Sequence, residues 1–316
     1  MRIIIPLAIL LFLTNISEAQ DYTWWNTKHN WDGKTPWQNY MTLSAKYTGP
    51  NALPVPEITT GKLPKSSFLE VGIAGHISGG DQTVNGVLNT IIKAGKKAAL
   101  GIYFVPYEVY NMDTNTSRNI RNTRDYDGQG NSVGDVYISG YYQILTHQKY
   151  RPDILLTFGV KTASGNNLEA ARFTDAPGYY FNLSIGRTIP FKALNFTSIR
   201  HYIMAGMYVW QTYSSQYKQD DAVLYGAGIE LTHPHFIIEE QVGGYFGYIN
   251  NGDRPVVSRL SIRSNRDKLI NYKLLYQQGF VDAPYTTLVI STTINLDRIK
   301  QSLIKDKEFN STTTAP

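Results

Sequence analysis

The chain of 316 residues contains no cysteine, which removes disulfides, thiolate metal sites and cysteine nucleophiles together. Charge is also scarce. Charged residues make up 17%, against about 25% in ordinary soluble domains, which argues against a disordered chain or a heavily solvated helical bundle. The net charge is only +5, and Lys and Arg are scattered, so no basic stripe for nucleic acid is present. No apolar run approaches the ~20 residues that a membrane-spanning helix needs; the most apolar one is Ile3 to Leu13. What the chain has in excess is aromatic surface, 13% of residues with 23 Tyr against 12 Phe. Tyrosine suits positions that are apolar at one end and wet at the other.

Met1-Arg2, the apolar run to Leu13, and small residues Ser17 and Ala19 before Gln20 have the pattern of a secretory signal peptide over 1–19. Export is therefore expected. Residues 20–37, aromatic (Trp24, Trp25, Trp31, Trp37) but not alternating, are expected to form a periplasmic N-terminal segment or partial plug. Residues 38–296 form the main body, and 297–316 a polar C-terminal tail that opens on one or two helical turns.

The main body repeats one local pattern: apolar and polar residues alternate for one strand length, then Gly, Pro or polar punctuation follows. Leu288, Ile290, Ile294 and Leu296 share one face, with Val289, Ser291, Thr293 and Asn295 on the other. Ile154, Leu156, Phe158 and Val160 likewise face away from Thr157, Gly159 and Lys161. Period-two alternation marks strands with one apolar and one polar face. The pattern predicts strands at 38–47, 67–78, 98–110, 133–146, 153–162, 179–189, 199–211, 221–232, 236–249, 254–264, 271–280 and 286–296. Within Gln82 to Lys97, the spacing of Val84, Val87, Leu88, Ile91 and Ile92 predicts a short amphipathic helix. The stretch 48–66, with Pro50, Pro54, Pro56 and Pro64, is predicted as an irregular connection, because Pro cannot join a central ladder.

Connections tend to alternate between short (147–152, 190–198, 233–235, 265–270) and long (111–130, 163–178), with lapses at the brief Asn250 to Asp253 turn and the longer 79–97 segment; outer-membrane barrels have short periplasmic turns and longer external loops. The polar faces carry Ser, Thr, Asn, Gln, Gly and Tyr with few charges, unlike the solvent face of a sandwich. A barrel in lipid inverts that arrangement, and closure spares it an unpaired edge in hydrocarbon. The expected fold is an all-β, closed antiparallel transmembrane β-barrel of about twelve strands with up-and-down topology. Outer-membrane lipid is its expected surroundings. Tyr107, Tyr110, Tyr141, Tyr142, Trp210, Tyr213, Tyr245 and Tyr248 are expected in interfacial girdles. The sparse charges of the polar faces, Glu70, Asp135, Lys161, Glu230, Glu239, Arg259, Arg263 and Lys273, are expected to line the lumen and to pair across it or set solute selectivity.

Gly134-Asp135-Val136, Pro152-Asp153, the run Gly159 to Gly165, Asp175 to Phe181 and the Gly/Pro-rich Tyr47 to Pro56 resemble segments of the meta-pathway phenol-degradation family, itself distantly similar to long-chain fatty-acid transporters. The resemblance spans residues 40–296. It implies a barrel that takes up small or hydrophobic molecules, and it supplies no catalytic residue.

Other motifs weigh less. His233-Pro234-His235 reads as a turn rather than a metal site. His76, with Glu70 on its face and Ser78 nearby, lacks the across-sheet contact that a hydroxyl nucleophile needs. Asp113, Asp125, Asp127 and Asp135 read as a solvated loop rather than a calcium site. Gly79-Gly80-Asp81 and Gly128 to Asn131 lack the strand-to-helix setting of a phosphate loop. No catalytic residue, metal or cofactor is expected. The expected partners are a small-molecule solute or, in a scaffolding role such as a type IX secretion complex, another envelope protein.

Overall fold

The computed structural model describes residues 21–302 except 149, 266 and 267; the predicted signal peptide and the tail from 303 onward lie outside the described residues. The chain divides into two units, one ending at Trp37 and one beginning at Gln38. The first carries a short helix, α1 (Thr23–His29), at whose start the Asp21 carboxylate accepts the Thr23 N–H at 2.8 Å. Asn30, at φ 47°, ends it in the left-handed conformation that Asn tolerates.

The second unit is a sheet that closes on itself. Its strands are β1 (Phe68–Ile77), β2 (Asp81–Ala94), β3 (Ala98–Phe104), β4 (Glu108–Met112), β5 (Gln129–Ser132), β6 (Tyr137–Leu145), β7 (Asp153–Lys161), β8 (Gly178–Pro190), β9 (Ser198–Gln211), β10 (Gln219–Thr232), β11 (Phe236–Phe246), β12 (Val256–Ser264), β13 (Ile270–Gly279) and β14 (Thr286–Asn295). All pairings are antiparallel, and β1 pairs with both β2 and β14, which closes the ring. β3 and β4 pair with successive parts of β2. The break between them falls at Pro106, which has no N–H to give. β5 and β6 likewise continue one another, pairing with β4 and β3. Each broken pair counts as one strand, so the ring is a twelve-stranded antiparallel barrel.

The apolar rows face outward. Ile73 and Ile290, opposite each other on β1 and β14, are 65% and 63% exposed, whereas Glu70 and Ser291 on the other face are buried. Val71, Leu100, Ile138, Phe158, Leu183, Ile203, Val242, Ile262 and Leu288 continue the outward band. Apolar side chains outside and polar ones inside is the arrangement that hydrocarbon demands of a closed barrel.

Two sequence expectations are corrected. Residues 82–94 belong to strand β2 and not to a helix. Val84, Leu88 and Ile92, four apart, share a face in either structure; Val87 and Ile91 take the interior instead, and Ile91 is buried there. Residues 38–47 are turns and a short helical turn rather than a strand. Met41 and Leu43 are buried there, but between loops and lumen rather than in a sheet. Aromatic placement also differs from simple girdles. Tyr107, Tyr142 and Tyr248 are exposed, whereas Tyr110, Trp210 and Tyr245 are buried.

One barrel end carries the turns at 95–97, 146–152, 191–197, 233–235 and 265–269, and the other carries the loops at 113–128, 162–177, 212–218 and 247–255. By the rule of short periplasmic turns, the loop end faces outward. At the turn end, residues 296–302 are helical. The Asp297 carboxylate accepts the Ser67 N–H at 3.0 Å, and the Asn295 side chain accepts the Arg298 N–H at 3.2 Å. The helix is thereby fixed to the start of β1.

Candidate functional site: an occupied lumen

The proline-rich stretch that the sequence marks as a mere connection runs through the barrel interior. From Met41 to Ser66 it descends from the loop end, where the Lys46 N–H bonds to the Gly252 carbonyl at 3.2 Å, to the turn end, where β1 begins. We refer to it as the strap. Among the described residues, 50–66 make no backbone–backbone hydrogen bond to the wall. Four prolines without N–H groups make the strap a poor ladder partner. Side chains of the wall hold its carbonyls instead. Going down the barrel, the Trp210 indole N–H donates to Leu43 (3.2 Å) and the Tyr245 hydroxyl to Leu53 (2.9 Å). Arg259 donates to Val55 (2.6 Å) and Pro56 (3.2 Å), and the Gln241 amide to Ile58 (3.2 Å). Arg200 donates to Thr60 at 2.7 and 3.0 Å, and Gln143 to Gly61 at 2.8 Å.

One side of the lumen is apolar. Leu53, Val55 and Ile58 of the strap pack with Tyr202, Met204, Tyr208, Trp210, Leu224, Tyr245 and Val257 of β9–β12. The rings of Tyr208, Trp210 and Tyr245 lie 5.2–5.3 Å apart, centre to centre, within the range of favourable aromatic pairs. Gly226 and Gly243, opposite each other on β10 and β11, form the seat of Ile58. A Cβ on either would come within 2.6 or 2.5 Å of Ile58 Cδ1, so only Gly lets the strap lie this close. The lining turns polar on the adjoining strand β8, where Thr59 Oγ1 donates to Ser184 Oγ at 2.7 Å.

The eight charges singled out in the sequence are mostly neutralised by one another. Lys273 Nζ lies 3.4 Å from Glu70, which also accepts from Ser291 Oγ at 2.6 Å. Lys161 and Asp135 pair at 2.7 Å, both without exposed side-chain surface. Arg263 pairs with Glu230. Glu239 accepts from the Tyr202 hydroxyl at 2.6 Å and the Gln241 amide at 3.0 Å. Arg259 differs: among the described residues it has no carboxylate partner, and the strap carbonyls and Gln277 receive its protons.

Sequence reasoning missed the densest polar cluster. At the loop end, Asp81 accepts from Arg121 (2.8 Å), Arg172 (2.6 Å) and the Tyr285 hydroxyl (2.6 Å). Arg172 also donates to Glu108 (2.8 Å) and Thr83 (2.8 Å). The Asn51 amide of the strap donates to Glu108 at 2.7 Å and Asn85 at 3.0 Å. Both long loops thus fold inward, each delivering one arginine to carboxylates on the wall. Burial opposes the charge of Arg172, but the Glu108 and Asp81 carboxylates outweigh it and raise its pKa above the usual arginine range. One signal is readable in hindsight: Arg172 stands between Ala170, Ala171 and Phe173 in an otherwise polar loop.

His76 meets Thr287 Oγ1 through Nδ1 (2.8 Å) and Asn85 Oδ1 through Nε2 (2.7 Å). Hydroxyl, imidazole and orienting amide in that order can activate a nucleophile. All three residues are at most 7% exposed, however, and they bridge β14, β1 and β2 at the closing seam. The arrangement therefore serves the seam. His76→Ala is expected to lower stability by about 1–3 kcal/mol, read as an earlier urea-unfolding midpoint. Ester hydrolysis present in the wild type and lost in the variant would reverse that assignment. His233 and His235 lie in the turn between β10 and β11, where the His233 ring stacks on Phe236 at 4.4 Å.

No family model matches the chain, and no curated protein matches it in sequence. Among solved structures, it is similar to the COG4313 outer membrane channel from Pseudomonas putida F1, with a TM-score of 0.51 and 11% identity over 76% of this chain and 99% of that one. It is also similar to the NanC porin (TM-score 0.45, 11% identity, 72% and 98% covered) and the KdgM porin (TM-score 0.44, 9% identity, 71% and 98% covered). At such identities the likeness is one of fold: the chain has the outer-membrane β-barrel architecture.

Proposed function

We propose that the protein is a gated passive channel for small solutes in the outer membrane, with the strap as its gate. The observation that carries this reading is the manner of attachment. The strap fills the lumen without joining the sheet, so it can leave without breaking a single ladder bond of the barrel. Eight strands are filled by their own side chains and sixteen or more leave an aqueous channel. Twelve leave room for either one extra chain segment or a solute path. The resemblance to the phenol-degradation family and the likeness to the Pseudomonas channel favour the same reading. The mixed lining, part aromatic and part polar, suits small amphiphilic solutes.

The absence of native cysteine makes a direct test possible. The hydroxyl oxygens of Thr59 and Ser184 are 2.7 Å apart, so Thr59→Cys with Ser184→Cys places two sulfurs within bonding reach. In planar bilayers, the oxidised double variant is expected to stay closed and the reduced one to open as the wild type does. Equal conductance in both states would reject the strap as gate. No conductance in either state, or in the wild type, would leave a sealed scaffold.

A further inference from the structure

The loop 247–255 is built around two buried carboxyl groups. The Asp220 carboxyl accepts the Tyr248 N–H at 3.3 Å, and the Asp253 carboxyl accepts the Asn250 N–H at 3.0 Å. Gly247 leaves room for Asp253, since any Cβ there would strike its Oδ2. Asp220 is the second residue of β10. It lies at the loop-end rim, beyond Val223, where the outward apolar row of that strand begins. Both aspartates are wholly buried.

Each aspartate keeps one oxygen that no donor reaches, Oδ2 of Asp220 and Oδ1 of Asp253, and the two carboxyl groups are bonded to each other. Ionised carboxylates only accept, so the contact requires one proton, and that proton satisfies both oxygens at once. With no accessible surface there is no room for a larger ion, and no third acidic or imidazole ligand joins them among the described residues. The surrounding charges are few. Arg254 Nε stands 4.0 Å from Asp253 Oδ1 and donates to the Gly247 carbonyl at 3.4 Å. Asp221, next on the strand, accepts from the Gln219 amide at 2.8 Å, and Asp282 is matched by Lys46 of the strap at 3.6 Å. Tyr245 and Tyr248 complete the set. Asp220, Asp253 and Arg254 together are neutral with the shared proton and carry a buried negative charge without it. Burial first, and the Asp253 charge second, hold the Asp220 carboxyl well above the usual carboxylate range. The contact is therefore intact in acid and lost as the pH rises past that raised value.

The segment between these two carboxyl anchors is the one that holds the head of the strap. The Asn251 carbonyl receives Ser44 Oγ at 3.0 Å, and the Gly252 carbonyl receives the Lys46 N–H at 3.2 Å. We propose that Asp220 and Asp253 form a proton-operated latch: sharing one proton they clamp the 247–255 loop onto the strap, and losing it they release both. The shared proton stands apart from the channel reading; only its effect on opening rests on that reading.

The test is deuterium exchange on the full-length protein in detergent, read on the segments 43–48 and 247–253 and corrected for the intrinsic pH dependence of exchange. Between ~pH 5.5 and ~pH 8.5, corrected exchange in both segments is expected to rise about fivefold or more, as local opening becomes easier. Asp220→Asn supplies an N–H to Asp253 at every pH, so its exchange is expected to stay slow throughout. Asp253→Asn serves the same purpose should the first variant not fold, and heat-modifiable migration on gels monitors the fold. Flat corrected exchange in the wild type, or a pH response that survives in a folded variant, would overturn the proposal. Bilayer recordings separate the two readings. Wild-type open probability is expected to rise over the same pH span and that of Asp220→Asn to stay low. In a protein that conducts, loop release without that rise overturns the control of the strap. In one that never conducts, loop release abolished by the variant keeps the shared proton and removes the channel.

Discussion

Arg259→Ala is expected to convert the barrel from mostly closed to frequently open. Its guanidinium donates two hydrogen bonds to strap carbonyls, at 2.6 and 3.2 Å, and charge-assisted bonds of this kind contribute roughly 1.5–3 kcal/mol each. Losing both weakens the seat of the strap by about 3–6 kcal/mol before water fills the gap, and 1.4 kcal/mol is a factor of about ten in an equilibrium. Even half of that sum surviving raises the open fraction at least tenfold. Single-channel recording reads the effect as open probability. The variant should keep the β-sheet circular dichroism of the wild type, because Arg259 makes no ion pair within the wall among the described residues. Unchanged open probability would show that the Arg259 hydrogen bonds do not hold the strap in place.

Arg172→Ala should have the largest effect on stability. Arg172 is wholly buried and shared between Asp81 and Glu108. Asp81 keeps Arg121 and Tyr285, but Glu108 retains the neutral Asn51 amide and no cation among the described residues. Breaking a buried pair by removing one partner typically costs 3–5 kcal/mol, because a bare charge remains. The expected result is a loss of about that size in urea unfolding, together with faster proteolysis of the 162–177 loop. Adding Glu108→Gln removes the stranded charge and should restore part of the loss. If the double variant is no more stable than Arg172→Ala alone, the charge pairing is not what anchors the loop.

The barrel was legible because lipid imposes a simple rule on every strand. Rows such as Leu288 and Ile290, or Leu156 and Phe158, face outward as their alternation predicts. β2 escaped because three of its five apolar residues satisfy helical and extended spacing equally, so the interior positions of Val87 and Ile91 had to decide. The place of the strap escaped for a different reason. Its hold depends on backbone carbonyls, which every residue possesses, and the donors sit on β6, β9, β11 and β12, far from it in the sequence. Only the spacing of its prolines was visible, and that signals what the segment cannot do rather than where it lies. The arginines at the loop mouth were hidden because loop polarity suggests solvent, whereas Arg121 and Arg172 spend theirs on buried carboxylates.

The enclosure of the strap bears on the order of assembly. The recess for Ile58 exists only after β10 and β11 have paired, since Gly226 and Gly243 form it jointly. The ring traps the strap only once β1 meets β14, which joins Phe68 to Asn295, the pairing with the greatest loop-closure cost in the sheet. The finished topology is that of a ribbon that would first collect the strap and then close around it. The slow final step is the one that decides whether the finished molecule leaves the assembly machinery loaded or hollow.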